Sequence, residues 1–138
     1  MSEIGFSSQL AVASILTWLV CTMLLAIVMP IRVAILVAFL KVGLVASYFG
    51  FWTPGLWQIG GDDKGFFEYA LKLYTTGKTP FTIFSTGEMK WLLYVNHSIS
   101  LVVYLFFVSL FVFGPFYFSI VLFNVILISL MVVFMGKA

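Results

Sequence analysis

Four long runs of apolar residues constrain this chain more than any other feature of its sequence. Each run contains about 20 residues, which is the length that a helix needs to cross the hydrocarbon core of a bilayer. The apolar residues are continuous rather than alternating with polar ones, so the runs fit helices rather than strands. The sequence therefore predicts an all-α integral membrane protein with about four transmembrane helices, at residues 9–29, 33–53, 91–113 and 116–135.

The composition supports a membrane location and excludes two other classes of protein. Of the 138 residues, 63% are hydrophobic and 9% are charged, and the mean hydropathy is +1.18. Soluble domains carry roughly a quarter charged residues, and disordered chains are far less hydrophobic. Seven basic residues interspersed with five acidic ones form no stripe that could follow a phosphate backbone, so nucleic acid is excluded as a partner. We interpret residues 1–138 as a single multi-pass domain surrounded by lipid, in a bacterial inner membrane.

Two short breaks and one long connection organise the four runs. Pro30-Ile31-Arg32 ends the first run and Gly114-Pro115 separates the third from the fourth, and both sequences favour tight turns. The sequence thus predicts two helical hairpins joined by a polar connection over residues 54–90. Five of the six lysines lie in this connection or near the C-terminus, which favours a cytoplasmic connection under the positive-inside rule.

The connection contains a segment with the pattern of a short amphipathic helix, near Asp63–Thr76. Asp62 or Asp63 can cap its start, and Gly77 is a suitable end. Charged residues recur every four positions, at Lys64, Glu68 and Lys72. The opposite side of the helix is apolar, with Phe66, Phe67, Ala70, Leu73 and Tyr74. This pattern predicts a helix lying along the membrane surface.

The same segment carries a spaced motif, Asp62-Asp63-x-x-Phe66-x-x-x-Ala70-x-x-Leu73-x-x-x-Gly77. It resembles the first extracytoplasmic loop of the C superfamily of membrane glycosyltransferases, which use polyprenyl-phosphate sugars, and loops of related proteins from bacterial polysaccharide clusters. The resemblance covers residues 62–77 only. It implies that an acidic residue of this loop acts at an active site, which makes Asp62 and Asp63 the catalytic candidates. Phe66, Ala70 and Gly77 would be scaffold, and the connection would be extracytoplasmic.

Carboxylates in this position suit the chemistry of sugar transfer. A carboxylate within hydrogen-bond reach of an acceptor hydroxyl can remove its proton in the transition state. Two adjacent carboxylates can instead hold a divalent cation against a phosphate leaving group, and this cation is the one cofactor we consider. Lys64 and Lys90 can bind that phosphate as point charges. Helix capping by Asp62 and Asp63 is the structural alternative.

Polar residues inside or beside the spans are further candidates. Lys41 lies near the middle of the second span, where a charge is costly, so it is either functional or extends its side chain towards the surface. His97 lies where the third span meets the interface and titrates near neutral pH, although a lone histidine there is more often an ordinary surface residue. Cys21 and His97 are too few to make a metal centre, so no metal site is predicted.

Helix packing should involve small and amide side chains. Ala34-x-x-x-Ala38 and Gly43-x-x-x-Ser47 permit close approach of a neighbouring helix. Asn124, in the fourth span, is expected to form a hydrogen bond with a neighbouring helix.

Three functions fit these features. The first is an envelope protein of lipid-linked sugar or polysaccharide assembly, either glycosyltransferase-like or a fragment or subunit of such an enzyme, with a polyprenyl-linked sugar as its ligand. The second is a noncatalytic small subunit that stabilises or regulates a larger membrane complex, through a membrane protein partner or as a homo-oligomer. The third is a small transporter or lipid flippase, although Lys41 is the only charged residue well inside a span.

Overall fold

The computed structural model describes residues 8–51, 61–79 and 99–137, and all regular secondary structure in these ranges is helical. The all-α prediction is therefore confirmed for this part of the chain. In chain order the helices are α1 (Ser8–Leu25), α2 (Ile31–Phe51), α3 (Gly61–Thr75), α4 (Ile99–Phe113) and α5 (Tyr117–Lys137).

Three of the helices, α1, α2 and α5, are long and apolar enough to cross a membrane. They correspond to the first, second and fourth predicted spans. The described part of the third span is α4, which has 15 residues. A helix of that length is about 22 Å long, which is less than the roughly 30 Å of a hydrocarbon core. Residues 91–98 lie outside the described residues, so a fourth complete span stays a prediction.

The chain divides into two compact units. The first, which we call the hairpin unit, comprises Met1–Pro54 and Val121–Ala138, and it contains α1, α2 and most of α5. The second, the connection unit, comprises Gly55–Ile120 and contains α3, α4 and the start of α5.

In the hairpin unit, α1 packs against α2 across the turn that Pro30 was predicted to make. The Val28 amide donates to the Leu25 carbonyl at 3.0 Å, which tightens the end of α1. The Pro30 carbonyl then accepts the Ala34 amide at 3.0 Å in the first turn of α2. These bonds satisfy backbone groups that helix ends otherwise leave unpaired.

Small side chains allow close packing within the hairpin unit. Ala34 and Ala38 are both 0% exposed, which confirms the packing predicted for this pair. A Cβ atom added to Gly136 on α5 would lie 3.0 Å from the Val28 side chain. The second predicted pair makes no such contact, because a Cβ at Gly43 would meet nothing within 4 Å and Ser47 is exposed.

Many large apolar side chains of the long helices are exposed, among them Leu44 (73%) on α2 and Phe134 (71%) on α5. Such exposure suits a lipid environment, in which apolar side chains need no burial against protein. The predicted packing role of Asn124 is wrong for the described residues, since its side chain is exposed on α5.

Candidate functional site

The connection unit contains the amphipathic helix that the sequence predicted. α3 runs from Gly61 to Thr75, within two residues of the predicted bounds at each end. Its apolar side is buried through Phe67 (2% exposed), Ala70 (0%) and Leu73 (3%). Glu68 and Lys72, on the other side, are exposed. The alternation of apolar and charged residues along the sequence therefore gives the correct faces of this helix.

Gly77 ends α3 in the way that its position predicted. Its φ is +67°, in the left-handed region that glycine adopts without steric cost. The Lys78 amide donates to the Leu73 carbonyl at 3.1 Å, and the Gly77 amide donates to the Tyr74 carbonyl at 3.3 Å. This pair of bonds is a Schellman motif, which satisfies the last carbonyls of the helix.

The acidic pair lies at the opposite end of α3. Since the helix begins at Gly61, Asp62 and Asp63 occupy its first turn, together with Lys64, rather than the capping position before it. The residues predicted to cap the helix therefore lie inside it. Carboxylates in a first turn are still stabilised by the positive end of the helix dipole. Only the backbone of these three residues is described.

The apolar face of α3 packs against α4. Phe67, Ala70 and Leu73 form one buried cluster with Val103, Leu110 and Ile120. The Phe67 ring also stacks on Tyr117, with 4.2 Å between the ring centroids and 25° between their planes. The helix is thus held by protein contacts, and its orientation along the membrane surface stays a prediction.

The break at Gly114-Pro115 comes just before Tyr117, which packs against this cluster, and Ile120, which belongs to it. Gly114 has a φ of +92°, and its amide donates to the Leu110 carbonyl at 2.8 Å at the end of α4. The Ser119 hydroxyl donates to the Gly114 carbonyl at 2.7 Å. The predicted helix break is confirmed, whereas the pairing of α4 with α5 in a second hairpin stays a prediction.

Lys64 shares the first turn of α3 with the acidic pair, and the other predicted site residues lie outside this helix. Lys90 and His97 lie outside the described residues. Lys41 lies in the middle of α2 and belongs to the hairpin unit. In the ranges that the structure describes, no group of three or more His, Cys, Asp and Glu residues could hold a metal ion.

The hairpin unit has a polar centre that was not predicted from the sequence. Cys21 and Thr17 of α1 and Ser129 of α5 are all 0% exposed, and Lys41 of α2 is half-buried. The Ser14 and Thr22 hydroxyls are also buried and have no hydrogen-bond partner among the described residues. The recurrence of Ser14, Thr17 and Cys21 at spacings of three and four was the available signal, because it places them on one side of a helix.

No protein-family model matches the chain, and neither a curated protein nor a solved structure matches it. The geometry of α3 and of the polar centre is therefore the basis for assigning a function.

Proposed function

We propose that this protein is a small membrane component of lipid-linked sugar assembly, with Asp62 and Asp63 acting on a polyprenyl-phosphate sugar or on its acceptor. The observation that supports the proposal is the anchoring of α3. Phe67, in the middle of the helix, stacks on Tyr117, and a Schellman motif at Gly77 ends the helix. A helix held through its middle gives Asp62 and Asp63, in its first turn, a supported backbone position, and catalytic groups need such support.

The positions of the glycosyltransferase-like motif also have consistent structural roles. Ala70 and Leu73 are buried, Phe66 is half-buried and Gly77 takes the left-handed conformation. All four stabilise the helix or its packing and leave the acidic positions for chemistry. This division supports the resemblance over residues 62–77.

In the proposed reaction a carboxylate accepts the proton of an acceptor hydroxyl. The acceptor oxygen forms a bond to the anomeric carbon, the bond from that carbon to the phosphate oxygen breaks, and polyprenyl phosphate leaves. Lys64 and Lys90 would stabilise the negative charge of this phosphate. General-base catalysis of this kind contributes about 10²–10⁴-fold in rate. A partner protein would supply the rest of the site.

The test is Asp62→Asn and Asp63→Asn, assayed for glycan transfer in native membranes so that the partners are present. The amide is nearly isosteric and retains hydrogen bonding, but it cannot act as the base. At least one variant should lose about 10²–10⁴-fold in transfer rate at unchanged expression. Glu68→Gln is the matched control, because Glu68 is an exposed acid of the same helix. Normal glycan transfer in both aspartate variants would show that Asp62 and Asp63 only stabilise the helix.

A noncatalytic subunit is the second candidate, and the exposed apolar surface of the hairpin unit favours it. Leu44 and Phe134 offer large side chains to lipid or to another membrane protein. In this case both aspartate variants would retain glycan transfer, and deletion of the chain would lower the amount of a partner membrane protein. Quantitative proteomics of membranes from the deletion strain would distinguish the two functions.

A further inference from the structure

We infer that the hairpin unit binds a transmembrane helix from outside this chain, and that this helix carries an Asp or Glu near its middle whose carboxylate pairs with Lys41. The inference does not depend on the proposed sugar chemistry, since it concerns residues of the other compact unit.

Lys41 lies too deep in its helix to reach the membrane surface. α2 extends from Ile31 to Phe51, so Lys41 is its central residue. Each end of the helix is about 15 Å away at a rise of 1.5 Å per residue. A lysine side chain is much shorter than that distance, so it cannot bring its ammonium group to the surface by extending along the helix. A charge at this depth needs a polar or oppositely charged partner.

Lys41 also lies on the packed side of α2. It follows the fully buried Ala34 by seven residues, which is two helical turns, so the two residues share one face. Its side chain is half-buried. Leu44, one turn further along α2, is 73% exposed. Lys41 therefore lies at the edge of the helix packing, where another helix can reach it.

The buried polar groups described in this unit are neutral, and two of them already donate to the backbone. The Thr17 hydroxyl donates to the Ala13 carbonyl at 2.8 Å, and the Ser129 hydroxyl donates to the Val125 carbonyl at 2.9 Å. The Ser14 hydroxyl has no partner among the described residues. None of these hydroxyls carries a charge that could neutralise Lys41, so a carboxylate is the partner that complements it.

The hairpin geometry places Ser14 at the level of Lys41. α1 and α2 run in opposite directions from the turn at residues 26–30, and Trp18 bonds to the Ile35 carbonyl across the pair at 3.4 Å. Ser14 lies twelve residues before this turn and Lys41 eleven residues after it. The Ser14 hydroxyl oxygen is buried within the chain, so the half-buried Lys41 is the group at this level that a helix from outside can reach.

The sequence excludes a second copy of this chain as the donor of that carboxylate. Its acidic residues all lie outside the four apolar runs, at Glu3, Asp62, Asp63, Glu68 and Glu88. Charge complementarity thus selects a different helix, because homo-oligomers would bring further lysines and no intramembrane acid.

The test measures binding of a synthetic polyleucine transmembrane peptide with one central Asp to the full-length chain in phosphatidylcholine vesicles, by fluorescence energy transfer. The matched peptide has Asn at the same position. The Asp peptide should bind the wild-type chain about 5- to 30-fold more tightly than the Asn peptide. Lys41→Leu and Lys41→Met should remove this preference, and Lys41→Arg should keep it. Arg32→Gln is the control. Arg32 is the second residue of α2, so this substitution should leave the preference unchanged.

Two results would overturn the inference. One is equal binding of the Asp and Asn peptides to the wild-type chain, and the other is a preference that survives Lys41→Leu in a variant whose helical circular dichroism is normal. Lys41→Met serves as the second variant if Lys41→Leu does not fold. Self-association of the wild-type chain that disappears in Lys41→Met, without any peptide, would identify a second copy as the occupant and would also overturn it.

Discussion

Gly65 and Gly77 differ in backbone conformation, although both belong to the same short segment. Gly65 lies inside α3, is exposed and has open space where an alanine would place its Cβ atom, whereas Gly77 has a φ of +67°. Gly65→Ala should therefore stabilise α3 by about 0.5–1 kcal/mol, through the higher helix propensity of alanine. Gly77→Ala should destabilise it by about 1–2 kcal/mol, because an L-residue is strained in the left-handed region.

Hydrogen exchange of the α3 amides measures both effects in the intact protein. Protection should rise in Gly65→Ala and fall in Gly77→Ala. Equal protection in the two variants would contradict the role assigned to the Schellman motif.

Single residues also show which parts of the structure the sequence could specify. The faces of α3 follow from its charged positions, and the end at Gly77 follows from the conformational freedom of glycine. Asn124 gave no such information, because α5 is apolar on nearly every side, whereas the spacing of Ser14, Thr17 and Cys21 marked one side of α1. A helix without amphipathic periodicity does not reveal which side packs, so the exposure of Asn124 could not be predicted.

At the scale of elements, the contact of α1 with α2 depends on small side chains. Ala38 of α2 is 0% exposed, whereas Ala11 of α1 is exposed. Ala38→Leu should destabilise the hairpin unit by about 1–3 kcal/mol, since added methylene groups do not fit a packed interface. Ala11→Leu, the matched control, should change stability little because its side chain would face lipid. Unfolding in mixed detergent micelles, followed by circular dichroism, measures the difference. Equal stability of the two variants would argue against close packing at Ala38.

The packing of α3 on α4 predicts a pattern of chemical accessibility. Phe67→Cys and Leu73→Cys should react slowly with a water-soluble maleimide, because both side chains are buried in the cluster with α4. Glu68→Cys and Lys72→Cys should react quickly, since these positions are exposed. The native Cys21 is fully buried and adds little background. Equal rates at all four positions would show that α3 does not pack in this way.

At the scale of the whole molecule, the proposed helix binding and the proposed sugar chemistry each belong to a different compact unit. The hairpin unit contains the intramembrane charge at Lys41, and the connection unit contains the acidic start of α3. The general plan of apolar helices with a polar connection could be predicted because span length and hydropathy are properties of the sequence itself. The buried contact between α3 and α4 could not be predicted, because it pairs an amphipathic helix with one that is apolar on nearly every side and has no marked face.

The number of spans determines the topology, and the residues before α4 decide that number. If residues 91–113 form one span beside α1, α2 and α5, the chain crosses the membrane four times and both ends lie on the same side as the connection. An impermeant maleimide should then label Ser2→Cys, Thr76→Cys and Lys137→Cys from one side of sealed, oriented vesicles. Three crossings would instead place Ser2 and Lys137 on opposite sides, because an odd number of spans separates the termini. Labelling of these two positions from opposite sides would therefore assign α4, with its 15 described residues, to a segment that does not cross the bilayer.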